Sequence, residues 1–183
     1  MFIKEGTMGR SRIPLISYGN HYDHNKFEPI ENQTASFNKP MGGYWANEFG
    51  TKNYNWFQWC TNTGFFENKP KEYRTIYTRF YLKRNVRVIT IDNRKDLIET
   101  INSYRMLNIY YELNAYYEGK TPEYGIDYEL LQKDYDVIHV TQRACWECRY
   151  PFSNKYATLN VWDIDTYLIM NQEAIDEASI ILC

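Results

Sequence analysis

Trp162-Asp163-Ile164-Asp165-Thr166-Tyr167-Leu168-Ile169-Met170-Asn171 sets an Asp-x-Asp at the mouth of an apolar run. Thr166 to Met170 is short and rich in β-branched and aromatic residues, the composition of a strand rather than a helix. Val137 to Val140 reads in the same way, and Thr158 to Trp162 adds another strand. Near the N-terminus, Ile13 to Tyr18 is a short apolar run closed by the turn signal Gly19-Asn20. The glycine pair Gly42-Gly43 leads into Tyr44-Trp45-Ala46-Asn47, where aromatic residues suit a short strand. Arg74 to Leu82, a turn at Lys83-Arg84-Asn85, and Val86 to Ile91 read as an antiparallel hairpin.

Helices are fewer. Trp56 with Trp59 or Cys60 recurs at helical spacing within Tyr54 to Cys60, and Asp92 is placed to cap a helix through about Ile101. Asn102 to Glu118 keeps helical spacing and stops at Gly119, and Ile126 to Lys133 reads as one more short helix. The tail, Gln172 to Cys183, ends in Ile180-Ile181-Leu182, an apolar end that calls for burial. Strands dominate and no βαβ alternation is apparent. The expectation is an α+β fold with mostly antiparallel or split sheets and short flanking helices.

The 183 residues, 44% hydrophobic and 17% aromatic, exclude disorder and coiled coil and fit a single domain spanning 1–183. Twenty-one basic residues against 23 acidic ones, a net charge of −2, leave no global attraction for nucleic acid or an anionic membrane. No apolar run approaches the roughly 18 to 20 residues of a membrane span, and Met1 to Arg10 lacks the apolar centre of a secretory signal. These features read as a soluble, cytoplasmic protein with no membrane partner. Cys60, Cys145, Cys148 and Cys183 are too few and too irregular for a disulfide framework, so reduced thiols are expected.

The segment His21 to Met41 is long and polar, either a substrate loop or an ordered surface excursion. No phosphate-cradling glycine motif and no G-x-S-x-G is present. His21-x-x-His24 and Cys145-x-x-Cys148 together make a Cys2His2 donor set on paper, yet the halves are far apart in sequence and buried thiols account for the cysteines more simply. The pair Asp163 and Asp165 can stabilise a developing cation or bind a ribose diol, or simply cap a loop. Lys69 to Arg74, with Lys83-Arg84, is the one stretch that hints at a nucleic-acid acceptor, though such charges are commonly solvated.

Taken in order, Leu15 to Asn20, Gly43-Tyr44-Trp45-Ala46-Asn47, the helix bearing Trp56 and Trp59, and Asp165 opening a strand before Asn171 resemble the ADP-ribosyltransferase fold. The chain also resembles phage and bacterial proteins that share Lys39-Pro40-x-Gly42-Gly43-x-Trp45 and Trp56-x-x-Trp59-Cys60, which implies a role in conflict between phage and host. The resemblance implies NAD⁺ as substrate and a protein or nucleic-acid acceptor. It puts Ser17 or Tyr18 at the family's first-strand His or Arg, Trp45 at its aromatic position, and Asp165 at its Glu. Ser17 or Tyr18 and Asp165 differ from the family's residues, so the chain reads either as a transferase or as an inactive binding protein of that fold.

Cleaving the nicotinamide–ribose bond passes through an oxocarbenium-like state, which a carboxylate near the ribose stabilises. Under this resemblance Asp165 and Trp45 are the catalytic candidates. Tyr44 and Gly43 join Trp45 around the ring, and Ser17 or Tyr18 bonds the adenosine side. Trp45 and Tyr18 have the alternative of packing in the core. Arg149 either reaches a pyrophosphate as a two-pronged donor or pairs with a surface carboxylate.

Overall fold

The computed structural model describes residues 12–33, 39–50, 55–108 and 122–183. Nine strands are present among them: β1 (Pro14–Tyr18), β2 (Tyr44–Glu48), β3 (Tyr77–Leu82), β4 (Val88–Ile91), β5 (Arg105–Leu107), β6 (Tyr124–Ile126), β7 (Val137–Val140), β8 (Thr166–Ile169) and β9 (Ile175–Leu182). Five α-helices accompany them: α1 (Trp56–Asn62), α2 (Glu72–Thr75), α3 (Arg94–Ser103), α4 (Tyr128–Asp134) and α5 (Gln142–Glu147). Seven strands form one mixed sheet in the order β4-β7-β8-β2-β1-β3-β9, and β5 pairs with β6 in a separate two-stranded sheet. Every pair in the large sheet is antiparallel except β4 with β7. The α+β class and the mainly antiparallel sheet are thus as the sequence indicates.

β8 is buried on both faces, which is why its sequence is a continuous apolar run instead of an alternating one. Leu168 faces a core with Ile91, Leu97, Ile101, Leu131 and Ile138. Tyr167 and Ile169 face a second core with Leu15, Phe80, Val137 and Ile175. Strand alternation sends neighbouring side chains to these two cores.

The expected hairpin between Arg74–Leu82 and Val86–Ile91 does not form. β3 is already paired on both sides, with β1 and β9. β4 lies at the other edge of the sheet beside β7, in register Val88 with Val137. The Asp136 carboxylate sets that register: it accepts from the Arg87 backbone N–H at 3.0 Å and from Arg87 Nη2 at 2.8 Å, tying together the residues just before the two strands.

The helix capped near Asp92 is α3, but its cap is Asn93, which accepts from the N–H groups of Lys95 and Asp96. α3 ends at Ser103, so the helix expected over 102–118 is broken by β5 in its described part. Residues 109–118 of that reading lie outside the described residues. In Thr158 to Trp162, Thr158, Leu159 and Trp162 are buried, but the segment joins no ladder; its backbone makes the Leu159 N–H to Cys148 carbonyl bond and a turn from Trp162 to Leu159. The C-terminal apolar end forms the edge strand β9, held by backbone pairing with β3, and Ile181 and Leu182 stay half exposed. α5 was not anticipated: Thr141 caps it, and it carries Cys145.

The described part of 21–41 is an ordered excursion. Glu31 and Met41 exchange backbone hydrogen bonds, and the Asn32 side chain bonds Asp127 and the Tyr128 N–H at the start of α4. Gly42 and Gly43 follow, with φ of +73° and +66°. A Cβ on Gly42 would stand 1.9 Å from the Pro29 carbonyl oxygen, and one on Gly43 2.6 Å from Leu168. The close approach that the glycine pair permits is therefore to the protein's own chain.

Candidate functional site

The large sheet has a weak seam. β1 and β2 are registered only at Leu15 with Glu48 and Ile16 with Asn47. Beyond those pairs the Ser17-Tyr18 end of β1 parts from the Tyr44–Ala46 end of β2, and a cavity of about 530 Å³ opens there. That volume suits a nucleotide-sized ligand.

Two aromatic groups line it. From β2 and the segment before β8 come Trp45 and Trp162, with ring centroids 5.0 Å apart. The Trp45 indole N–H donates to the Gly42 carbonyl at 3.2 Å, so the glycine turn fixes the ring. Trp45 is half buried, packing on the first core while also lining the cavity. From α1 and the following turns come Trp56, Phe65 and Tyr73. Trp56 stacks on Trp59 at 4.9 Å and meets Phe65 edge-on. The short helix exists because Asn55 and Gln58 form a reciprocal capping box at its start.

Asn47 holds these parts together. It is buried, accepts from the Trp56 N–H at 3.2 Å, and donates through its amide to the Asp165 carbonyl at 2.6 Å. Ser17, Tyr18, Gly43 and Tyr44 all line the cavity. Burial pushes the Tyr18 and Tyr44 phenols up from their ordinary value, while the Ser17 and Thr78 hydroxyls beside Tyr44 pull the other way.

Asp165 is elsewhere. β2 and β8 are neighbours, Trp45 opposite Leu168, but the Asp165 carboxylate turns to His139, whose ring stacks on Tyr167 on the other face. Its Oδ1 lies 2.9 Å from His139 Nε2, its Oδ2 accepts from the Gln142 N–H at 3.3 Å, and the His139 ring stacks on Tyr167 at 3.9 Å. The Asp-x-Asp pair does not share a face, because both residues precede the strand. Asp163 lines the cavity, and Asp165 does not. Arg149 does not line it either, but its guanidinium lies 3.4 Å from the Asp163 carboxylate.

Lys39 is the cation at the cavity. Its ammonium lies 4.1 Å from the centroid of the Trp45 ring. Lys39 and Trp162 carry no ligand role in the sequence; Asp163 carries one only as half of the Asp-x-Asp, and Tyr73 only within the basic stretch Lys69 to Arg74. The available signals were the placement of Lys39 just before the Pro40 and glycine turn, and of Asp163 in the Asp-x-Asp.

Neither Cys nor His lines the cavity among the described residues. Cys145 is buried, donates to the Ile164 carbonyl, and is pushed up to about 12 by burial and the nearby Asp165 and Asp163 charges. His24 bonds Glu177, and His21 bonds the Cys183 carbonyl. The Cys2His2 set is not assembled, and no group of three metal-ligating side chains comes together among the described residues. Nor is any helix among them long and apolar enough to cross a membrane.

Among the described residues the cavity offers aromatic faces for a planar ring, one cation, one carboxylate, and the hydroxyls of Ser17, Tyr18 and Thr166. No family model, curated protein or solved structure matches the chain.

Proposed function

We propose that the protein binds NAD⁺ at the β1/β2 seam, as an ADP-ribosyltransferase-like binding protein. The observation that carries this reading is the cleft itself, nucleotide-sized and walled by Trp45, Trp162, Trp56 and Phe65. A planar nicotinamide or adenine ring gains stacking energy on such faces. Asp163 is placed for a ribose diol, since an ionised carboxylate accepts from both hydroxyls. The order of Ser17-Tyr18, Gly43-Tyr44-Trp45 and the short Trp56 helix is the order in the resemblance, and these residues meet at one cavity.

A second reading, transfer of ADP-ribose to a protein or nucleic-acid acceptor, is favoured by one observation: a carboxylate does line the cleft, but it belongs to Asp163 and not to Asp165. In this reading Asp163 stabilises the oxocarbenium-like ribose as nicotinamide leaves, and the acceptor nucleophile then attacks C1′. The phage or bacterial setting belongs to both readings.

Titration calorimetry with NAD⁺, run beside a nicotinamide-release assay, separates them. Binding without release supports the binding protein. Release that Asp163→Ala abolishes supports the transferase, and mass spectrometry of lysate protein and RNA after incubation with labelled NAD⁺ then identifies the acceptor. Neither binding nor release ends both readings.

A further inference from the structure

Lys39 is a cation to which the cleft brings no carboxylate within ion-pair distance among the described residues. Its side chain is partly buried beside the Trp45 ring. None of the ion pairs among the described residues includes it. The charge that acts on it belongs to Asp163, whose carboxylate already faces the Arg149 guanidinium at 3.4 Å. Burial holds the Lys39 ammonium below its ordinary value, with Asp163 pulling the other way. Withdrawing an ammonium from water is unfavourable unless an anion or a set of acceptors replaces the lost hydration, and an indole face replaces it only in part.

The backbone around Lys39 is fixed in advance. Pro40 is buried, Met41 exchanges hydrogen bonds with Glu31 at 2.9 and 3.2 Å, and Gly42 is packed beneath the Pro29 carbonyl. The ammonium is therefore presented to the cavity by a stiff turn, which lowers the ordering cost of using it.

We infer that Lys39 receives the anionic group of the ligand: a phosphate oxygen sits on Nζ while a planar ring packs on the aromatic side chains, so that the cleft selects phosphorylated nucleotides over nucleosides. This rests on the nucleotide reading of the cleft. Lysine suits the task as a compact point charge with three donors. Arg149, the other cationic candidate, does not line the cavity and is already faced by Asp163.

The test is calorimetry on the full chain with ADP-ribose, NAD⁺, nicotinamide riboside, adenosine and inorganic pyrophosphate, for wild type, Lys39→Met and Lys39→Arg. Lys95→Met, which removes an exposed lysine on α3, controls for net charge. The expected result is that Lys39→Met weakens ADP-ribose and NAD⁺ by about tenfold or more, leaves the two nucleosides unchanged, and that Lys39→Arg restores part of the loss. A readout that needs no variant comes from titrating wild type with ADP-ribose at alkaline pH in buffers of different ionisation enthalpy. A phosphate on Nζ raises the lysine's proton affinity, so protons are taken up on binding.

Equal affinities for phosphorylated and phosphate-free ligands in wild type overturn the inference and leave the nucleotide reading standing. Pyrophosphate that binds through Lys39 while every nucleotide and nucleoside fails supports the anion receptor and ends the nucleotide reading. Absence of proton uptake on binding also overturns the inference.

Discussion

Nε2 of His139 lies 2.9 Å from Oδ1 of Asp165, on the face of the sheet away from Trp45. Both side chains are about 15% exposed, so the pair is shielded from water and from the cleft. This divides the two aspartates of the Asp-x-Asp into a structural one and a cleft one.

Asp165→Ala strips the His139 ring and the Gln142 N–H of their shared acceptor and is expected to lower stability by about 1 to 3 kcal/mol. NAD⁺ affinity should stay as in wild type. Asp163→Ala should change stability by no more than about 0.5 kcal/mol, since its pair with Arg149 is partly solvated, and should remove any nicotinamide release. Urea unfolding beside calorimetry checks both, and the reverse pattern would return the catalytic role to Asp165.

Gly42 and Gly50 make a matched pair. Both have positive φ, +73° and +81°, but an added Cβ at Gly42 meets the Pro29 carbonyl while one at Gly50 meets nothing within 4 Å. Gly50→Ala should cost about 1 kcal/mol, the left-handed penalty alone. Gly42→Ala adds a backbone collision and should cost about 3 kcal/mol. Denaturant midpoints for the two variants decide it; equal losses would show that the turn relaxes freely.

The Arg87 guanidinium holds the Asp136 carboxyl below its ordinary value of 3.8, with burial opposing. A carboxyl whose folded value is depressed contributes stability that is complete above its unfolded value and disappears as pH falls through the folded one. The loss should therefore begin below about pH 4 and continue through more acid conditions. Arg87→Met should flatten that part of the stability–pH curve, as followed by urea unfolding between neutral and acid pH. An unchanged acid limb would show that other carboxylates dominate it.

Cys60, Cys145 and Cys148 are buried, and Cys183 is exposed. Burial pushes Cys60 and Cys148 up to about 11 and Cys145 to about 12, so none of them offers thiolate near neutral pH. Native protein treated with a thiol-specific disulfide reagent should titrate one fast group, lost in Cys183→Ser, and four groups after denaturation. Fast reaction at a second thiol would reveal local opening.

Much of the sheet was legible because its strands are locally distinct: Ile13 to Tyr18, Tyr44 to Asn47, Val137 to Val140 and Thr166 to Met170 each carry their own composition. Their partners were not. Alternation in Arg74–Leu82 marks a strand without saying that β1 and β9 occupy both of its sides, and only Asp136, a residue distant in sequence, reveals where β4 belongs. In the site, the aromatic and glycine residues were legible by type. The face that Asp165 takes was not legible, because it precedes β8, whose first residue is Thr166. Lys39 became informative only once the fold had placed it on Trp45 at the cavity.

β2 stands between β1 and β8, so its second neighbour is made long after it. During synthesis on the ribosome, Tyr44 to Glu48 must wait with one edge unsatisfied until Thr166 to Ile169 emerges from the exit tunnel. β7, whose partner on that side is the same late strand, waits with it. A product broken off before Thr166 would thus lack β8 and β9 and leave β2, β7 and β3 each with an open edge, making truncated chains prone to aggregate and a natural target for chaperone capture.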